Sequence, residues 1–340
     1  MNGYQRTSAA LRGEPTDKTP VMLHSFMMAA REAGLTMRQF REDPRQIARA
    51  FSESVGRYAY DGILVDVDTA TLAAAVGVPV EYPEDEPAVC RGARLNSLAG
   101  IGDLPPVDIA QCERVQIWLE AVRLLTKQYK GEIFVRGNCD QAPFSLAALM
   151  RSAEGWMLDL MDPENEPLVF RLLDYCYEAT SQFLRLMGAT GCDMLSNGDS
   201  SAGSSLISPR LHRKFAHSYE SRLAALSHEL GLPYAQHVCG NARPILADLV
   251  ASGADAVELD FKTDSRAAHD ALAGQATLIG NIDPTGVMAR GTPELVAEKC
   301  RELIAVFTDT PRFILNAGCA LPATTPAANL MAMIRAAHGN

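Results

Sequence analysis

"PYAQHVCGNARPILADLVASGADAVELD", residues 233–260, decides the fold. Two short apolar runs, 233–240 and 254–260, flank a stretch of helical character that stops at Gly253. The runs are nearly continuous in apolar residues, which is how a strand buried on both faces reads. The same alternation recurs along the chain. "PVMLHS" (20–25), "GILVDVD" (62–68), "EIFVRGN" (132–138) and "CDMLSNGD" (192–199) precede it, and "ATLIGN" (276–281) and "RFILNAG" (312–318) follow. Eight such runs separated by helices predict an α/β fold with a parallel sheet, closed as a (β/α)8 TIM barrel. An open doubly wound sheet is the alternative.

The helices between the runs carry recognisable ends. Ser208 is a candidate N-cap, with Pro209 in the first turn of one helix that runs through the stripe Leu211, Phe215, Tyr219 and Leu223 to Gly231 and Pro233. Thr292 and Pro293 start another. The stretch after the second run is longer than one crossover needs. We read about 77–110 as an insertion, rich in Pro and Gly and able to hold a small hairpin, with a helix from about 107. The expected organisation is one barrel domain over 1–340, with an N-terminal extension over 1–18.

Of the 340 residues, 47% are hydrophobic and 21% charged, and the net charge is −10. That is a globular composition with enough apolar residues for a large core. No basic block stands out, which argues against a nucleic-acid binder. No run approaches the ~18 apolar residues of a membrane span, and the N-terminus lacks a signal-peptide pattern. The expected location is the cytoplasm, where the eight cysteines stay reduced. Cys176 and Cys300 sit in helix-patterned segments and read as inert.

A barrel places chemistry at the C-terminal ends of its strands. His237 and Cys239 end the fifth run, two residues apart, so both side chains leave the same face. Cys319 directly follows the eighth run. In a closed barrel these ends share one rim, and the three donors can converge. One imidazole and two thiolates suit Zn2+ with a position left open for substrate. A His-x-Cys pair alone is weak, and a chance pair in a buried strand reads the same. A Cys-His catalytic dyad is a poorer fit, because residues two apart on a strand point outward in parallel.

Several stretches now carry a resemblance. "HVCGNARPIL" (237–246), "IGNIDPTGVM" (279–288) and "ILNAGCALPATTPAANL" (314–330) are similar to consecutive blocks of the uroporphyrinogen decarboxylase superfamily, in its zinc-dependent methylcobamide:coenzyme M methyltransferase-like branch. "SNGDSSAGSSLISPRLH" (196–212), "GNCDQAPFSLA" (137–147) and "DGILVDVDTATLAAAVG" (61–77) extend the resemblance over nearly the whole chain. The His-x-Cys and Gly-Cys pattern is its specific part. The decarboxylase branch carries arginines after the first strand, where this chain has "VMLHSFMMAAREAG" (21–34), and histidine where Cys319 stands.

The resemblance implies methyl transfer between a cobamide and a zinc-activated substrate, most readily a thiol. It implies a corrinoid as co-substrate, carried by a partner corrinoid protein, and a small-molecule methyl donor or acceptor. Asp199 is expected to line the pocket, and Glu258 or Asp260 to hold the fourth zinc position; these three are the candidate catalytic residues. Asp68, Asn281, Asp283 and Asn316 are candidate cofactor-binding residues, Asp283 reading equally as a turn and cap. A homodimer is compatible with an acidic barrel of this kind. The competing functions are a uroporphyrinogen decarboxylase-like lyase, a non-catalytic corrinoid or tetrapyrrole binder, and an unrelated zinc hydrolase.

Overall fold

The computed structural model describes residues 1–272 and 274–339, so Asn340, the expected end of the domain, lies outside the described residues. Among the described residues, ten strands form two sheets. They are β1 (Met22–Leu23), β2 (Gly62–Val65), β3 (Val80–Glu81), β4 (Val89–Cys90), β5 (Phe134–Gln141), β6 (Met194–Gly198), β7 (Tyr234–Val238), β8 (Ala256–Leu259), β9 (Thr277–Ile282) and β10 (Phe313–Ala317). Eight pair in the order β1-β2-β5-β6-β7-β8-β9-β10, all parallel. A parallel bridge between Val21 and Leu315 brings the first strand to the last and closes a (β/α)8 barrel. Each barrel strand starts within one of the eight apolar runs; β5 extends past its run to Gln141 and β9 past its run to Ile282. Their residues are almost all buried, as strands covered on both faces must be.

The N-terminal extension supplies a plug. The helix Gly3–Arg12 starts with a capping box at Asn2 and Gln5 and ends at Gly13 in the left-handed region. Its Ala10 and Leu11 pack with Met22, Phe134, Met194, Ala235, Ala256, Ile279 and Ile314, residues near the starts of the strands. The N-terminal end of the barrel is thus filled with apolar side chains. Two residues further along the same inward faces stand His24, Arg136, Ser196, His237, Glu258 and Asn316. The barrel interior changes from apolar to polar within one pleat repeat, and chemistry is left to the C-terminal end.

Two boundaries differ from the sequence reading. The helix expected from about 107 begins at Glu113. Pro105 and Pro106 precede it, and its buried face starts only with Val115, Trp118 and Leu119. The single helix expected after Ser208 is two, Pro209–Phe215 and His217–Glu229, broken at Ala216. The break lets His212 and Glu220 meet inside, 3.2 Å apart. The segment after β2 holds the antiparallel hairpin β3–β4 and a 3-10 turn over Leu98–Asp103.

Asp193, just before β6, accepts from the amide of Val135 at 2.8 Å and so ties β6 to β5. Burial pushes its carboxyl up to about 6, against that hydrogen bond. A carboxyl raised on folding stabilises the fold while protonated, and this contribution is lost as pH rises from about 4 through 6. Asp193→Asn keeps the acceptor and removes the titration. Thermal melts should show the variant gaining Tm on the native protein at pH 8 relative to pH 5; an equal difference at both pH values would refute the assignment.

Candidate metal centre

The register that builds the barrel also builds the site. Strand β7 pairs with β8 so that His237 sits opposite Glu258, which places the two side chains side by side on the inner face. Cys239 follows β7 by one residue, and Cys319 follows β10 by two. Ligand-capable atoms of His237, Cys239 and Cys319 all lie within 4.8 Å of one another. His237 Nε2 is 3.1 Å from Cys239 Sγ. The other ring nitrogen, Nδ1, faces Glu258 at 3.4 Å, a long ionic approach. The imidazole therefore turns one nitrogen to the sulfurs and the other to a carboxylate, the arrangement that fixes the tautomer of a metal-binding histidine.

Two glycines let the loops close around the trio. Gly240 has φ +79°, and a Cβ there would run into the hydroxyl of Ser205. At Gly318, next to Cys319, a Cβ would run into the backbone nitrogen of Phe261.

The electrostatics of the trio fit a divalent soft-to-borderline cation. The Cys239 thiol is pulled down to about 3, first by a hydrogen bond from Cys319, against burial and with help from the charge of His237. Cys319 is pushed well above the usual thiol range by that same contact and by burial. Burial disfavours a charged His237, and the negative charge of Cys239, with Cys319 and Glu258, outweighs it. The three donors thus hold one another through shared protons, which a metal would displace on binding.

Glu258 is held on both of its carboxylate oxygens. One oxygen accepts from Arg136 at 2.8 Å, and the other accepts from Asn316 Nδ2 at 2.8 Å. Arg136 and Glu258 are each 1% exposed. Burial would push the Glu258 carboxyl up, and the charges of Arg136 and His237 hold it below the usual carboxylate range instead. Asn316 also accepts from the His24 amide at 3.3 Å. Arg136, Glu258 and Asn316 thus form one bracket behind His237.

The remaining candidates are tied to loops. Asp260 accepts from the amides of Gly240 and Lys262, clamping the turn that follows Cys239. Asp199 takes the Ser145 amide and hydroxyl on one oxygen, and its amide donates to the His237 carbonyl. Burial, then the charge of Glu220, pushes its carboxyl up to about 7. Asp68 caps its own loop through the amides of Ala70 and Thr71. Asn281 donates to the carbonyls of Asp260 and Thr263, and Asp283 caps Thr285 and Gly286. Those two line a separate cavity of about 360 Å³ with Phe261, Thr263 and Lys299, and no hydrogen bond joins them to the trio among the described residues.

Sequence reasoning left Arg136 unassigned. Its signal was a lone cation inside "EIFVRGN", two residues after Phe134 and so on the inner face. His24 and Asp66 were visible only as polar strand ends. They form a pair, His24 Nε2 to Asp66 Oδ2 at 2.7 Å.

The chain has relatives over nearly its full length. Methylcobamide:CoM methyltransferase MtbA of Methanosarcina acetivorans is 25% identical over 338 residues, covering 98% of this chain and 96% of that protein. A uroporphyrinogen decarboxylase of Alkalilimnicola ehrlichii is 26% identical over 360 residues, covering 98% and 93%. A solved methyltransferase from Methanosarcina mazei superposes with a TM-score of 0.90 at 21% identity, covering 100% of this chain and 99% of the other. No helix among the described residues is long and apolar enough to cross a membrane. The uroporphyrinogen decarboxylase (URO-D) family matches residues 3–340, and the chain belongs to that family.

Proposed function

We propose that this chain is a zinc-dependent, corrinoid-linked methyltransferase that moves a methyl group between a cobamide and a substrate thiol. The observation that carries the reading is the convergence of His237, Cys239 and Cys319 on one rim of the barrel. Curated relatives spanning the same length are methylcobamide:CoM methyltransferases. Relatives of similar identity are decarboxylases, so the residues of the site choose the branch. Cys319 stands where the decarboxylase pattern carries histidine, and "VMLHSFMMAAREAG" lacks that pattern's arginines before Arg31.

His237, Cys239 and Cys319 would hold the zinc. When bound there, zinc lowers the pKa of an incoming thiol and keeps its sulfur nucleophilic, because two anionic sulfurs already feed the metal. The chain's own residues set the stage. Glu258, held by Arg136 and Asn316, keeps the His237 ring turned to the sulfurs. Asp260 and Asp199 hold the loops on either side of Cys239. Asp68, also buried, braces the loop after β2. The corrinoid is delivered by a separate corrinoid protein, and a small molecule supplies or receives the methyl group.

The test is metal content followed by demethylation of methylcobalamin with 2-mercaptoethanol and coenzyme M, read by the absorbance of the corrinoid. About one zinc per chain and thiol-dependent loss of methylcobalamin are expected. A chain that takes up no zinc, or that turns over a porphyrinogen instead, overturns the reading.

A further inference from the structure

The loops around Cys239 carry two large apolar side chains out to solvent. Leu206 is 62% exposed and Phe261 41%. Leu206 closes the turn from Gly203 after β6, and Phe261 lies in the turn after β8. The strand order β6-β7-β8 puts the loop of Cys239 between them. A single exposed leucine is ordinary on a protein surface. These two stand apart because of what holds their backbones. Ser205 Oγ accepts from the Asn241 amide at 3.2 Å, and the Ser204 hydroxyl donates to the Asn241 carbonyl, which fastens the Leu206 turn to the loop of Cys239. The Thr263 hydroxyl donates to the Gly240 carbonyl and accepts from the Ala242 amide, which fastens the Phe261 turn to the same loop. The backbone of Phe261 also packs so closely on Gly318, the neighbour of Cys319, that no Cβ fits between them.

Both side chains are thus exposed on fixed backbone that abuts the neighbours of Cys239 and Cys319. A surface ordered before its ligand arrives loses little freedom on binding. Charge adds a second feature. Arg243 lies in the loop after Cys239, and Lys262 directly follows Phe261. Both are exposed, and neither has an ion pair among the described residues, in a chain of net charge −10. This part of the rim is apolar and cationic where the chain as a whole is acidic. Methyl transfer at the trio says what must cover it. The cobalt of a cobamide has to come close to the sulfur that gives or takes the methyl group, and the corrin ring around it spreads well beyond three donor atoms. The ring must therefore lie over the neighbouring loops. Its edge carries methyl groups, and the nucleotide tail of a cobamide carries an anionic phosphodiester.

We infer that Leu206 and Phe261 form the seat of the corrin ring, one on either side of the Cys239 loop, and that Arg243 and Lys262 attract the phosphodiester of its tail. The inference rests on the corrinoid reading above and assigns residues of this chain to that co-substrate. The two apolar side chains contribute by leaving water against the edge of the ring. The two cations contribute by an attraction that salt screens. None of the four is a donor of the trio, so the seat sets affinity for the corrinoid and leaves the metal alone.

Binding can be measured without turnover. Zinc-loaded protein is mixed with methylcobalamin in the dark, without thiol, and the corrinoid retained on ultrafiltration is read by its absorbance. Leu206→Asp and Phe261→Asp should each weaken retention about tenfold. Arg243→Glu combined with Lys262→Glu should weaken it by a similar factor, and should abolish the loss of affinity that the native chain shows between about 0.05 and 0.5 M salt. All of these variants should keep native zinc content and Tm, because the side chains they change are exposed. Leu158→Asp is the control for general stickiness, at a leucine 66% exposed on the helix Ala153–Met161, and should retain the corrinoid as the native chain does. Native retention in both Leu206→Asp and Phe261→Asp overturns the seat, and so does an equal loss in Leu158→Asp. Loss of zinc in both aspartate variants overturns it too, by giving the pair a structural duty. Native affinity that is level with salt removes Arg243 and Lys262 from it. A native chain that retains no methylcobalamin at about 1 mM, yet demethylates it with thiol, loses the seat and keeps the proposed function. A chain that neither retains nor demethylates it loses the corrinoid reading itself.

Discussion

Alanine at Cys319 should strip the chain of its metal while leaving the barrel folded. Purified wild-type protein should carry about one zinc per chain. Cys319→Ala should carry less than about a tenth of that after dialysis against a weak chelator, because a site that falls from three protein donors to two loses the chelate that holds it. The fold should survive. Cys319 is only partly buried and stands in the loop after β10, outside the strand ladder. Far-ultraviolet circular dichroism and Tm therefore serve as the control. Cys300→Ala is the contrast. That thiol is fully buried in the helix Pro293–Val306, where burial pushes it up to about 12, so it acts as a small apolar side chain. Its loss should cost about 1 kcal/mol of packing and no zinc. Full metal and full thiol-dependent activity in Cys319→Ala would sink the three-donor site. Loss of zinc in Cys300→Ala would mean that the wrong cysteine had been assigned.

The barrel and the trio were legible in the sequence for different reasons. A strand covered on both faces has to be apolar along its length, so all eight barrel strands announce themselves as runs. His237 and Cys239 are legible because strand geometry makes residues two apart share a face, a purely local rule. Cys319 needed the closed barrel as a premise. What stayed hidden is contact made across the barrel. Arg136 on β5 meets Glu258 on β8, and no spacing along the chain encodes that meeting. Glu258 was singled out from its place at the end of a strand, and the partners that hold it were not legible. It faces His237 Nδ1 and Arg136, while the sequence could say only that it ends a strand near the trio. The break at Ala216 was hidden for a related reason. The apolar stripe continues through it, and only the burial of His212 and Glu220 against each other requires the chain to bend.

Arg136 and Glu258 allow stability and metal affinity to be separated. Arg136→Met removes the hydrogen-bonded cation of the buried Glu258 and leaves only His237, at 3.4 Å, to offset its charge, which should destabilise the fold by up to about 3–5 kcal/mol in urea denaturation at pH 7. Asn316 donates one hydrogen bond to that carboxylate and cannot neutralise it. Adding Glu258→Gln removes that charge, so the double variant should recover most of the lost stability. It should not recover the metal. A neutral amide in place of the carboxylate cannot support His237 with a negative charge, and zinc affinity, measured by chelator competition, should stay about 10–100-fold below wild type. The pH dependence has a definite sign. Arg136 holds the Glu258 carboxyl below its usual range against burial, so the ionised pair stabilises the fold above about pH 4.3. That contribution is lost as pH falls through the lowered folded value, and any stability advantage of the native protein over the double variant should shrink in acid. If Arg136→Met is as stable as the native chain, the pair is not the buried charge couple described. If the double variant binds zinc as tightly as the native chain, His237 is oriented by something other than Glu258.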